Sequence, residues 1–301
     1  MTGKRAGGAL AALLLIGWVA AVSAACGSPA GRAAGKSPGG TAARAAGDVG
    51  KGGTQLDFSQ PAPQSRPARR PAPSTVLQAV PTAQPLQGDD PRVGALFGPG
   101  AVGPHFCTGS VVPSPGHDLV MTAAHCIGSG RGTITSFVFI PGYANGIGPY
   151  GAWTARALVV DPQWSRSGDP DYDVGFVVLS PYDGKNIQDV VGADPIAFGA
   201  GYSHLVQVTG YPQQDDAAVT CENWTTKYSG TQLRFACGGF YAGTSGSPWV
   251  VVDGDAAAHP PEIVGVIGGY QRGGDTNSVS YSVYLSSAIE GLYERAEAAS
   301  Q

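Results

Sequence analysis

From residue 93 onward, short apolar or alternating runs are separated by Gly, Pro, Asn and Asp. The runs are Val93–Phe97, Thr108–Val112, Leu119–Thr122, Ile134–Ile140, Ala155–Val160, Val174–Leu179, Val206–Gly210, Leu233–Cys237, Pro248–Val252, Ile263–Gly268 and Val279–Leu285. Runs of this length, apolar throughout or with period two, predict strands. A period of 3.6 stands out only at Ser286–Ala298, which predicts a helix at the C-terminal end. Many short strands with turn signals between them predict an all-β sandwich or barrel.

Ahead of residue 88 this pattern is missing. Segments such as Pro61-Ala62-Pro63 and Pro71-Ala72-Pro73 favour extended polyproline geometry, and the Gly/Ala/Ser stretches favour coil. Without large apolar side chains, ordering entropy goes unmatched by burial, so 27–87 is expected to be a disordered Pro/Ala/Gly-rich tether. Sixty flexible residues reach about 45 Å on average. A propeptide that is cut away fits the same composition. The foldable part is 88–297, long enough for a sizeable core.

Charge and composition narrow the partners. A net charge of −4 gives no basic face, and Arg66, Arg69 and Arg70 lie in the Pro-rich stretch, so no nucleic acid is expected. Lys4 and Arg5 precede an apolar run, Ala9 to Val22, with small residues after it; residues 1–26 read as an export signal. The run is shorter than the ~20 residues that span a bilayer comfortably. Of five cysteines, Cys107, Cys126, Cys221 and Cys237 lie in the foldable part and can pair there, which suits an oxidising compartment outside the cytoplasm. Cys26 stands alone where the signal ends. Val22-Ser23-Ala24-Ala25-Cys26 resembles a bacterial lipobox, with Ser23 where Leu is usual; that resemblance implies lipidation of Cys26 and a membrane anchor. Ordinary cleavage after Ala24 or Ala25 is the other reading.

Three segments carry residues suited to acyl transfer, which needs a nucleophile, a group to move its proton, and donors for the oxyanion. His125 stands in Met121-Thr122-Ala123-Ala124-His125-Cys126, with small residues before it and a cysteine after. Asp173 opens an apolar strand in Asp169-Pro170-Asp171-Tyr172-Asp173-Val174-Gly175-Phe176, with Asp171 as the alternative. Ser245 sits in Gly243-Thr244-Ser245-Gly246-Ser247-Pro248-Trp249, whose glycines permit a tight turn and close approach of a substrate.

Together these segments resemble the trypsin-like (chymotrypsin-fold) serine proteases, over about residues 93–290. The resemblance implies two six-stranded antiparallel β-barrels with a short C-terminal helix. It implies a catalytic triad of His125, Asp173 and Ser245, in a chain order that α/β-hydrolases and subtilisin-like enzymes do not share. It also implies an oxyanion hole from the N–H groups of Gly243 and Ser245. Val208-Thr209-Gly210-Tyr211-Pro212 is similar to a segment of the bacterial glutamyl endopeptidases. Four cysteines allow three pairings; proximity favours Cys107–Cys126 and Cys221–Cys237, and the family resemblance supports the first.

Departures from the family bear on control and specificity. Thr244 stands where trypsin has the Asp that receives a new N-terminus, so that activation switch is absent. Arg92-Val93-Gly94 resembles an activation cleavage site, yet it falls where a strand belongs. Gly239 occupies the place of trypsin's specificity Asp, and Ile267 the place of a glutamyl-endopeptidase His. Gly239, Ile267, Gly268 and Gly269 are therefore expected to line a substrate pocket without charge. A monomeric serine endopeptidase acting on protein or peptide substrates is expected, with no metal and no cofactor. A catalytically silent binding or adhesion module on the same fold, and an esterase with the same triad, are the other readings.

Overall fold

The computed structural model describes residues 79–129, 132–133, 137–252 and 261–301. The stretch read as an export signal, Cys26, most of the stretch read as a tether and the first residues of the run at 134–140 lie outside them.

The strands are β1 (Gln84–Pro85), β2 (Val93–Phe97), β3 (Cys107–Val112), β4 (Leu119–Thr122), β5 (Gly128–Ser129), β6 (Gly132–Thr133), β7 (Val138–Pro141), β8 (Trp153–Val160), β9 (Gly175–Leu179), β10 (Leu205–Gly210), β11 (Val219–Lys227), β12 (Gln232–Ala236), β13 (Pro248–Val251), β14 (Ile263–Val266) and β15 (Val279–Val283). The α-helices are short except the last: α1 (Ala124–Ile127), α2 (Pro162–Ser167), α3 (Ile187–Val191) and α4 (Ser287–Ala299). Six antiparallel strands close the first barrel in the order β2-β3-β4-β9-β8-β7. The second runs β14-β13-β10-β11-β12-β15. It is drawn shut where Gly268 N–H donates to Tyr281 O at 3.0 Å and Val266 N–H to Ser282 Oγ at 2.9 Å. The two six-stranded barrels expected from the sequence are both present.

Two strands of the first barrel explain how the barrels join. In β4 and β9 every residue is buried, so neither face meets water. Alternation sends Val120, Val177 and Leu179 into the barrel interior with Leu96, Phe139 and Trp153. The opposite face, Leu119, Met121, Phe176 and Val178, packs on Ile263, Val266 and Val283 of the second barrel. Helix α4 seals this seam with Ile289, Leu292 and Ala296. An apolar run buried on both faces is why these strands read as continuous rather than alternating.

Paired backbone is already present ahead of residue 88. Within the stretch read as tether, β1 pairs with β11, Gln84 opposite Thr220. Ala83 N–H donates to Gly238 O at 2.7 Å, Gly238 N–H to Pro81 O at 2.7 Å, and Leu86 N–H to Ala218 O at 2.9 Å. Backbone pairing needs no apolar side chain, so composition gave no sign of it.

Candidate active site

The three segments converge between the barrels. His125 lies in α1, a single turn directly after β4, fastened by a disulfide from Cys126 to Cys107 in β3. Ala123 and Ala124 are fully buried. Their small side chains are needed because the backbone of the second barrel passes close by: a Cβ on Gly268 would lie 3.3 Å from Ala123 Cβ.

Asp173 is fully buried and accepts three hydrogen bonds. His125 N–H reaches Oδ1 at 2.8 Å, His125 Nδ1 reaches Oδ2 at 2.8 Å, and Gly269 N–H reaches Oδ2 at 2.9 Å. Each bond compensates part of the cost of burying the carboxylate. The one to Nδ1 leaves His125 Nε2 as the acceptor nitrogen of the neutral ring. The neighbouring aspartates are engaged elsewhere. Asp169 Oδ1 accepts from Asp171 N–H at 3.0 Å, and Asp171 Oδ1 accepts from Gln232 Nε2 at 2.7 Å. Asp171, the alternative partner for His125, is thus tied to Gln232.

Ser245 sits in a turn whose atoms are nearly all committed. Thr108 Oγ1 donates to Gly243 O at 3.0 Å, Thr108 N–H to Ser245 O at 2.7 Å, and Gly246 N–H to Ile267 O at 2.7 Å. Ser247 Oγ donates to Thr244 O at 2.7 Å. Thr244 closes the turn on Tyr241 O through its N–H at 3.1 Å and its hydroxyl at 2.8 Å. Among the described residues the N–H groups of Gly243 and Ser245 have no acceptor, and the Ser245 hydroxyl has none either. Gly243 has φ +98°, and a Cβ there would lie 2.5 Å from Gln213 N and 2.6 Å from Tyr211 O, so only glycine fits.

Ser245 and His125 line a common cavity of about 320 Å³ with Phe240, Ala242 and Ile267. Ile267 lines this cavity and Gly269 lines its neighbour, but Gly239 and Gly268 line neither. Gly239 backs onto Ala83, and Gly268 onto the backbone of Asp173. Nor is the wall free of charge, because Arg272 and Asp275 both line it. Gln271 and Arg272 take left-handed backbone angles, φ 53° and 55°, and fold the loop after β14 over the cavity. Nothing in their residue types signals that turn, since non-glycine residues seldom adopt it. A second cavity, of about 580 Å³, continues past His125 between α2 and the same loop. Gln232 was also not singled out by the sequence; its amide ties Pro170 O and Asp171 to Tyr270 N–H, bracing the aspartate loop against the cavity loop.

The Trypsin family model matches residues 81–289. Among solved structures, the chain is similar to the protease Anisep from Arthrobacter nicotinovorans, at 29% identity over 72% of this chain and 100% of that one, with a TM-score of 0.62. It is similar to a thermostable serine protease, AL20, from an extremophilic microorganism, at 28% identity over 69% and 98% of the two chains, TM-score 0.60. A Glu endopeptidase shares the fold at 16% identity, over 72% and 97%, TM-score 0.60. No curated protein matches. With the family model spanning well over half of the sequence, and two barrels meeting around a histidine, a buried aspartate and a serine, the chain belongs to the trypsin family.

Proposed function

We propose that this protein is a serine endopeptidase that works outside the cytoplasm through an acyl-enzyme on Ser245. The observation that carries the reading is the double hold of Asp173 on His125, through backbone N–H and Nδ1, beside a serine turn with two unengaged N–H groups. Ser245 Oγ attacks the scissile carbonyl while His125 Nε2 takes its proton. Asp173 keeps the ring in one tautomer and stabilises the imidazolium. Gly243 and Ser245 N–H receive the oxyanion, a donor type whose loss typically costs about 3 kcal/mol in the transition state. The proton on His125 then passes to the departing amine, leaving the acyl group on Ser245. Water, deprotonated by His125, releases the acid and restores the serine.

Arg272 and Asp275 oppose one another in charge in the cavity beside Ser245, so an uncharged residue is expected immediately before the cut. The two disulfides suit an oxidising compartment. Lys4 and Arg5 ahead of the apolar run Ala9 to Val22, and Cys26 after Ala24-Ala25, support export with lipidation at Cys26, which would hold the domain at the outer face of the membrane.

Ser245→Ala should abolish both peptide turnover and labelling by a fluorophosphonate while keeping the thermal transition of the parent. Undiminished labelling of that variant would refute the assignment.

A further inference from the structure

We infer that the cavity beyond His125 is an acid-binding subsite, selecting peptides with Asp or Glu close to, but not at, the residue next to the cut. This rests on the proteolytic reading above and adds a substrate class to it.

The cavity of about 580 Å³ is lined by His125, Trp164, Arg166, Gln271 and Arg272, with the turn Ser167–Gly168 and Gly269 completing it. Its two cationic side chains come from opposite walls: Arg166 from α2 of the first barrel, Arg272 from the loop after β14 of the second. No Asp or Glu lines it. Among the described residues neither guanidinium has a carboxylate within 4.0 Å, although Arg92, Arg156 and Arg295 each do. Arg166 donates only to the neutral amide of Gln163, at 3.1 Å.

The nearest acids in sequence are otherwise occupied. Asp161 takes Arg295 at 2.8 Å and caps α2 through Gln163 N–H. Asp169 and Asp171 face a different cavity, with Tyr172 and Tyr284. Asp173 is buried beneath three donors. Asp275 is held by Gln271 Nε2 at 2.8 Å and lines the Ser245 cavity, not the larger one. The smaller cavity therefore carries Arg272 with Asp275, and the larger one Arg272 with Arg166 and no acid, Arg272 lying at the junction.

The conformation of Arg272 points the same way. Two successive non-glycine residues in the left-handed region cost roughly 1 kcal/mol or more each, and such strain concentrates at ligand-binding sites. A guanidinium fork suits a carboxylate because it can meet both oxygens at once. The sites are open to solvent, so two such contacts are expected to give about a five- to tenfold preference at low ionic strength, shrinking as salt rises.

The test uses the purified full chain and internally quenched peptides sharing one neutral scissile pair. Glu, Gln or Lys is placed singly at each of the second to fourth positions on either side of the bond. The Glu peptide should exceed its Gln twin in kcat/KM by about five- to tenfold at one or two adjacent positions in 20 mM salt, and by about twofold or less in 0.5 M. Arg166→Gln with Arg272→Gln should bring that ratio to one. A flat ratio at every position, a preference for Lys, or a ratio that survives the double substitution overturns the subsite while leaving the protease intact. Failure to cut any peptide, with no labelling of Ser245, overturns the protease and the subsite together.

Discussion

Two buried aspartates in this molecule are treated in opposite ways. Asp173 has three donors for its two oxygens, whereas Asp194, 1% exposed, receives Arg92 Nη1 at 2.6 Å on Oδ1 and leaves Oδ2 buried without a partner. Burial pushes the Asp194 carboxyl up to about 6, against the pull of Arg92 and with a push from Asp90. Because the folded state holds this proton more tightly than the unfolded chain, stability should rise as pH falls from about 6 towards 4. The gain is on the order of 2 kcal/mol. Asp194→Asn should remove that rise, so urea midpoints at pH 7.5 and 5 should differ less in the variant than in the parent. An equal difference in both would refute it. At this scale His125, Asp173 and Ser245 were legible because each sits in a local motif that names it. Arg272 and Asp275 could be placed only near the pocket, because their position depends on left-handed angles at Gln271 and Arg272, which no side-chain pattern announces.

Among the elements, strands that bury an apolar face were legible to within two residues, as β2, β4 and β10 illustrate. Strand β11 was missed because Glu222, Trp224, Thr226 and Lys227 leave it mostly facing water, so its apolar signal is thin. Helix α2 carried a signal that could have found it: Asp161 before Pro162, the carboxylate accepting Gln163 N–H at 2.8 Å. The disulfides divide their work between elements. Cys107–Cys126 fixes the turn that bears His125, and Cys221–Cys237 joins β11 to the end of β12. Closing loops of 19 and 16 residues should stabilise by about 3 kcal/mol each in the chain-entropy model. Serine at both positions of either pair should therefore cost similar stability in urea. Only the Cys107→Ser/Cys126→Ser protein should lose kcat at a temperature where both remain folded. Equal kcat losses would show that the first bridge does not position the histidine.

For the whole molecule, fold and family were legible because motif order, strand count and the C-terminal helix agreed with one another. The pairing of Pro81 to Leu86 was not, since main-chain bonds hold it. Export and anchoring are a matter of the amino end. Cys26→Ser should move the protein from the membrane fraction to the medium, and mass analysis of the parent should give an N-terminus at Cys26 carrying a diacylglycerol. A parent recovered wholly from the medium with an unmodified N-terminus would reduce the anchor to simple secretion.

The short strand ahead of the barrels gives such an anchor a mechanical side. Pro81, Ala83 and Leu86 are laced to Gly238 and Ala218, and Gly239 donates to Asn277 O at 2.8 Å beside the wall formed by Phe240 and Asn277. Any pull along the amino-terminal stretch would enter through this seam, loading a few main-chain hydrogen bonds behind the wall of the cavity that Ser245 lines. A cut after Leu86 would unlace it, leaving both main-chain groups of Gly238 to solvent. If the amino-terminal stretch is a tether, the same few bonds would be both its grip and the backing of the cavity beside Ser245, and trimmed and tethered protein would differ in the set of that wall.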